Sequence, residues 1–150
     1  MAMVPTAVTV VTADGDAHPS GATANAVVAL SLEPLLMLAS LHRDSRTLAA
    51  VAGAGRFAIN VLGSGQEGLA RQFSSRGPTE EKWVGVDWES VDGAPWLAGA
   101  LVTLSCDLRD RIPAGDHEIL IGEVSSLVSR EGSPLLFHRG AYPSLEWLRG

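Results

Sequence analysis

The sequence predicts a β-barrel with short helical insertions. Three observations carry this reading. Most of the chain has the period or composition of strands, only two short stretches have helical spacing, and those helices do not alternate with the strands as a parallel α/β sheet requires. A length of 150 residues fits one domain.

Ala7–Ala13 is rich in Val and Thr, and Asp14-Gly15-Asp16 follows it as a hairpin turn. Ser20-Gly21-Ala22-Thr23-Ala24-Asn25-Ala26 is small and polar and reads as the entry to an apolar strand. Val27–Leu32 and Leu35–Leu41 are apolar runs split by Glu33-Pro34, which predicts two buried strands joined by a tight bend. Leu48, Val51 and Ala52 have i, i+3, i+4 spacing; Asp44 or Ser45 is the predicted N-cap and Gly53 or Gly55 the stop. In Arg56–Leu62, Phe57, Ile59 and Val61 share one face, with Ala58 and Asn60 on the other. Gln66–Phe73 is the second helix, with Leu69 and Phe73 at i, i+4. Ser74–Glu81 is polar, contains Gly77-Pro78, and is expected to be an exposed loop. Leu101–Arg109 alternates cleanly, so it is read as half-buried, with Val102, Leu104, Cys106 and Leu108 inward. Pro113-Ala114-Gly115-Asp116 is the turn to a return strand over Glu118–Leu127, and Leu135–Arg139 is a last short strand.

Composition excludes several function classes. A net charge of −6 with dispersed basic residues disfavours nucleic acid as a partner. A 46% hydrophobic and 19% charged content is that of a globular chain. The apolar stretch Ala24–Leu41 is broken by Asn25, Ser31, Glu33, Pro34 and Ser40, which predicts no membrane span; with no basic leader before Val4, a cytoplasmic protein is expected. The single cysteine, Cys106, excludes an internal disulfide and multi-Cys metal sites. The four histidines are scattered, so no metal is expected. Cys106 lies mid-strand on the apolar face, where an inert thiol is expected. The chain is read as carrying no GxSxG, GxxxxGK[ST] or GxGxxG motif. Trp83, Trp88, Trp96 and Trp147 are far apart and read as core or interface anchors.

Three segments are candidate sites. In Ser40-Leu41-His42-Arg43-Asp44-Ser45-Arg46-Thr47 a strand ends and a helix begins. Free N–H groups, two hydroxyls and a guanidinium there suit a phosphate, although Ser45 capping with an exposed Arg46 explains the same residues. Ser20–Ala26 lets backbone approach a flat ligand, with Thr23 and Asn25 to bond its edges; a strand entry with an Asx turn is the plainer account. The third is Gly115-Asp116-His117, where His117 is either a proton donor or a group that packs against a substrate ring, with an exposed turn histidine bonded to Asp116 as the plainer account; His138-Arg139-Gly140-Ala141-Tyr142 shares the ambiguity, as a binding rim or ordinary surface.

Together these segments resemble the flavin reductase-like family, the small FMN-binding split-barrel proteins that include reductase components of two-component flavin-dependent monooxygenases. The matching stretches run in order from Val4-Pro5-Thr6 through Pro19–Ala26, Ser31-Leu32-Glu33-Pro34 and Asp44-Ser45-Arg46-Thr47. They continue through Gly55–Leu62, Leu69–Phe73, Ala114-Gly115-Asp116-His117, Ile121–Val124 and Pro134–Gly140. Ala7 stands where the family usually has Gly, and Leu35 where a second Pro is common. Only Met1-Ala2-Met3 precedes the first match, where the family has a helix.

The resemblance implies an antiparallel, mainly β split barrel of Greek-key type with two or three short helices, one domain over residues 1–150. It implies an NAD(P)H:flavin oxidoreductase that uses FMN or FAD, and NADH or NADPH, and feeds a flavin-dependent monooxygenase. A non-catalytic flavin-binding module is the alternative, and a pyridoxamine-phosphate-oxidase-like activity fits the ordered motifs less well. Thr23, Ala24, Asn25 and Ala26 match the stretch along the isoalloxazine, and Ser40, Leu41 and His42 the strand end under it. Ser45, Arg46 and Thr47 match the phosphate turn, and Phe73 a region that closes over the cofactor. His117 matches a histidine near the nicotinamide, and Arg139 and Tyr142 a C-terminal stretch reaching the same pocket. Backbone N–H groups of Ala24–Ala26 or Ser40–His42 are then the expected partners for charge developing on the flavin, which sits at a homodimer interface.

Overall fold

A computed structural model describes residues 3–146. Its strands are β1 (Thr6–Ala7), β2 (Thr9–Ala13), β3 (Ser20–Ala24), β4 (Val27–Leu32), β5 (Leu35–His42), β6 (Arg56–Val61), β7 (Trp88–Val91), β8 (Ala94–Leu97), β9 (Val102–Ala114), β10 (His117–Ser129) and β11 (Leu136–Phe137). Helix α1 spans Arg46–Ala54 and α2 spans Glu67–Ser74, and a 3-10 turn covers Thr79–Trp83. Seven strands form one antiparallel sheet in the order β3-β2-β6-β9-β10-β5-β4. The core lies inside its curl, around Val11, Phe57, Ile59, Leu104 and Leu120. A second core, with Val10, Leu62, Phe73 and Leu97, fills the space under α2.

Several boundaries differ from expectation for tertiary reasons. Ser20–Ala24 is itself a strand, because β2 supplies a hydrogen-bonded partner from Thr9↔Ala24 to Ala13↔Ser20. β9 runs on through Pro113 to Ala114, so the turn is only Gly115-Asp116, with Gly115 at φ +65°. The segment 74–81 is not all loop, since the 3-10 turn begins at Thr79.

The polar face of β6 and β9 is not solvated. The β7–β8 hairpin packs over it, so Thr103 and Ser105 are buried and Asn60 is fully enclosed. Asn60 Nδ2 donates to Val10 O at 3.1 Å and Oδ1 accepts from Leu97 N–H at 2.8 Å, which staples the hairpin to the barrel. Trp96 is a core anchor whose Nε1–H donates to Ser105 Oγ at 2.8 Å. Trp83 packs edge-on against Phe73, Trp88 is exposed, and Trp147 lies outside the described residues.

β4 is exposed rather than buried. Val28, Leu30 and Leu32 have relative exposures of 54%, 47% and 84%. β4 is the last strand of the sheet, and among the described residues no strand pairs with its outer edge.

Candidate active site

The end of β3, the β3–β4 turn and the end of β5 enclose a cleft of about 860 Å³, within the range of small-molecule sites. Its floor is Ala22, Thr23, Ala24, Asn25 and Ala26. The floor is flat because its side chains are small, and Phe73 packs close behind β3 because Gly21 has no Cβ. A Cβ at Gly21 would stand 2.7 Å from the Phe73 ring. Thr23 Oγ1 donates to Ala70 O at 2.6 Å, so its hydroxyl hydrogen ties β3 to α2. Asn25, exposed at the turn, is the side chain left to bond a ligand's edge.

Ser40, Leu41 and His42 form the opposite wall. Leu41 is buried and contributes mainly backbone. Ser40 N–H already donates to Ala26 O at 2.9 Å, which removes it from the backbone donors expected there and leaves Asn25 and Ala26 as the better stretch. His42 and His117 are cross-strand partners of β5 and β10, with ring centroids 5.6 Å apart, edge to face. His117 Nδ1 lies 2.7 Å from Asp116 Oδ1, and that bond holds the Asp116 carboxyl below the usual carboxylate range. His42 Nδ1 accepts from Asp44 N–H at 3.2 Å. Two imidazoles, each with one nitrogen engaged, therefore line the cleft mouth.

The cleft continues, through shared His42 and Ser45, into a second hollow of about 490 Å³. Ser45 caps α1: its Oγ accepts from Thr47 and Leu48 N–H at 3.2 and 3.4 Å. The helix ends at Gly55, φ +68°. Thr47 is buried with its hydroxyl 2.9 Å from Ser20 Oγ. Arg46, Arg76 and Lys82 face the hollow. Arg46 donates to Thr79 Oγ1 at 3.2 Å and Gly77 O at 3.3 Å, so the 77–79 turn orients it. Lys82 titrates below its ordinary 10.5, first because it is partly buried and second because Arg46 is near. Three cations, Arg46, Arg76 and Lys82, against one carboxylate, Asp44, in the lining of the hollow make it a site for an anion.

A flavin phosphate needs a flat bed for its rings and cations for its tail. A flat, small-residue cradle meets a cationic hollow, and Thr6 Oγ1 at the cleft edge is buried without a partner. The ring end and the anion end both fit.

Some expected residues lie elsewhere. Phe73 is 1% exposed and lines neither hollow; it supports Gly21 from behind rather than closing over a ligand. Tyr142 packs on Phe137 with its ring 5.1 Å under the Arg71 guanidinium, and Arg139 occupies the turn at φ +52°; neither lines the cleft. β11 brings in Phe137 instead. Sequence reasoning also missed Val4, Thr6, Arg76 and Lys82. Arg76 and the polar residues that precede Lys82 sit in a run that reads as plain exposed loop. Gly63-Ser64-Gly65-Gln66-Glu67-Gly68 does spell the GxGxxG of a dinucleotide fingerprint. It cradles nothing, because Gly63 N–H donates to Gln66 Oε1 at 2.9 Å and Ser64 N–H to Ser133 O at 2.8 Å, in an antiparallel sheet. Among the described residues no three His, Cys, Asp or Glu side chains gather as a metal site, and no helix is long and apolar enough to cross a membrane.

Barrel, cleft and anion hollow define a flavin-handling oxidoreductase. Residues 1–146 match the family described as flavin reductase like domain, and the chain belongs to that family. It is 42% identical over 143 residues to the reductase subunit HsaB of a flavin-dependent monooxygenase from Rhodococcus jostii, covering 94% of this chain and 72% of that one. It is 39% identical to the NADH-dependent FMN reductase AsuE2 of Streptomyces nodosus, covering 97% and 82%. The solved NADH:FAD oxidoreductase SgcE6 of Streptomyces globisporus, in complex with NAD and FAD fragments, superposes with a TM-score of 0.89 at 34% identity, covering 95% of this chain and 87% of that one.

Proposed function

We propose that this chain, as one domain, uses the β3–β5 cleft to bring a flavin and NADH together, and that the reduced flavin serves a partner monooxygenase. The enzyme class is NAD(P)H-dependent flavin reductase. The observation that carries the site is the continuity of a flat cleft with a cationic hollow through His42 and Ser45. A bound flavin supplies the ring that accepts the hydride. The chain supplies orientation. Ala22, Ala24 and Ala26 let backbone approach the ring, Asn25 bonds its edge, and Ser45, Arg46, Thr47, Arg76 and Lys82 hold the phosphate. His117, its Nδ1 fixed by Asp116, positions the nicotinamide at the mouth and shields it from water. The monooxygenase subunit to which the HsaB name refers supports the partner class.

A second copy of the chain fits over β4, whose exposed Val28, Leu30 and Leu32 directly follow the Asn25-Ala26 turn of the cleft. A dimer would thus close the site. Light scattering should give twice the chain mass, and a monomer carrying full activity would refute the shared site.

The test of function is NADH loss at 340 nm with added FMN or FAD. Flavin-dependent turnover is expected. A chain that binds flavin without turnover would be a binding module instead.

A further inference from the structure

The two imidazoles at the cleft mouth are held in opposite tautomers. His42 Nδ1 lies 3.2 Å from Asp44 N, and a backbone N–H can only donate. Nδ1 therefore offers its lone pair, and the proton of the neutral His42 ring is on Nε2. The Asp44 carboxylate stands 3.9 Å from the same nitrogen, beyond hydrogen-bond distance. His117 Nδ1 lies 2.7 Å from Asp116 Oδ1. An ionised carboxylate can only accept, so here Nδ1 carries the proton and Nε2 of the neutral ring carries the lone pair. Each Nδ1 is engaged by its own loop. Among the described residues neither Nε2 has a hydrogen-bond partner. Both rings line the cleft, and the His42↔His117 register sets them side by side across β5 and β10. The mouth thus presents one donor and one acceptor as neighbours.

We infer, on the reading of the cleft as a flavin and NADH site, that this pair grips the carboxamide of the nicotinamide: His42 Nε2–H donates to its oxygen and His117 Nε2 accepts from its NH2. A primary carboxamide carries one acceptor and one donor on a single planar group, the complement of the two ring nitrogens. Ring centroids 5.6 Å apart leave room for that group between two hydrogen bonds of about 2.9 Å. His42 is then a specificity residue for the hydride donor. A dinucleotide with a carboxylate in place of the carboxamide sets an oxygen against the His117 lone pair. One with an acetyl group keeps the oxygen but leaves that lone pair unpaired, and a site built to bond an N–H rejects such an analogue.

The test measures kcat/KM for NADH and for its reduced acetylpyridine analogue, at saturating flavin, in the parent chain, His42→Phe and His117→Phe. Phenylalanine keeps a ring and removes both nitrogens. His42 is exposed and His117 half-buried, so the fold is retained. The two substrates differ in intrinsic reactivity, which cancels when their ratio is compared between proteins. The preference for NADH should shrink about tenfold in His117→Phe, the scale of one hydrogen bond lost with its partner left unpaired. In His42→Phe the ratio should hold, because both substrates keep the oxygen, while kcat/KM for each falls about tenfold. Calorimetry supplies the comparison without turnover: the flavin-loaded parent should bind NAD+ more tightly than nicotinic acid adenine dinucleotide, and His117→Phe should narrow that gap. A substrate ratio identical in all three proteins overturns the inference. A weaker flavin Kd in His42→Phe, with the ratio unmoved in His117→Phe, also overturns it and assigns the pair to the flavin edge. If NADH is oxidised without these differences, only this inference falls; if the parent oxidises no NADH with flavin, the functional reading falls with it.

Discussion

The two ends of the flavin cleft are built from different materials. The ring end is strand backbone with almost nothing attached: Ala22, Ala24 and Ala26 on one stretch of chain. The anion end is made of long side chains from three separate segments, Arg46 on α1, Arg76 before the 77–79 turn and Lys82 in the 3-10 turn. One end works by shape and the other by charge, so substitution, pH and ligand choice should separate them.

The largest effect is expected where neither end acts alone, at the mouth. His117→Ala should lower turnover on the order of 100-fold, the scale of a misplaced reactant, while flavin affinity changes little. A steady-state assay with flavin titration separates these, and unchanged NADH oxidation would remove His117 from the reaction. Asp116→Asn should fall between the parent and His117→Ala, because it loosens the ring without deleting it.

At the charged end, Arg46→Ala or Lys82→Ala should weaken binding of phosphorylated flavins by about 1.5–3 kcal/mol, with riboflavin unaffected. Equal losses for riboflavin would mean that these side chains shape the cleft rather than hold a phosphate. A pH series sharpens this. Free Lys82 titrates below 10.5, and a bound phosphate would retain its proton. Phosphorylated flavins should therefore bind less tightly as pH rises into that lowered range, and Lys82→Ala should flatten the dependence.

Behind the β3 strand that supports the shape end, Gly21→Ala places a methyl 2.7 Å from Phe73 Cε1. Overpacking of this kind costs roughly 1–3 kcal/mol and should appear as a lowered Tm, with riboflavin and FMN weakened alike. Selective loss of FMN would contradict the division between the ends. The smallest effect is expected at Cys106, whose thiol burial pushes up to about 12. Native protein at pH 8 should resist alkylation until it unfolds. Because this value is raised above its ordinary 9.0, the stabilising contribution is full below pH 9 and is lost as pH climbs towards 12.

Much of this was legible in local pattern. A helix start at Asp44 or Ser45, a stop at Gly53 or Gly55 and the alternation of Val102–Leu108 are written in residues a few positions apart; the structure selects Ser45 and Gly55 and has the alternation. The small-residue stretch 20–26 was readable as a place for a flat ligand, and the 40–47 corner as a place for an anion. Neither was readable as part of one channel, because residues 25 and 40 meet only through the β4–β5 pairing. Lys82 and Arg76 were invisible, since nothing in a polar run says which cations it will face. The GxGxxG run at 63–68 went unread in the sequence, and tertiary bonding of Gly63 and Ser64 gives it no role in the site. Asn60 and Ser105 looked solvated by alternation alone, and β4 looked buried by hydropathy alone. Each was decided by which element lay across the sheet.

The sequence by itself determined most of the long strands, the two helices and the small-residue floor, because backbone preference and side-chain periodicity act over a few residues; β3 and the β7–β8 hairpin were not readable as strands. Only the tertiary structure decided which face of each strand met water, which imidazoles came together, and which cations surrounded an anion. Those outcomes depend on contacts between residues far apart in the chain, and one-dimensional spacing carries no record of them.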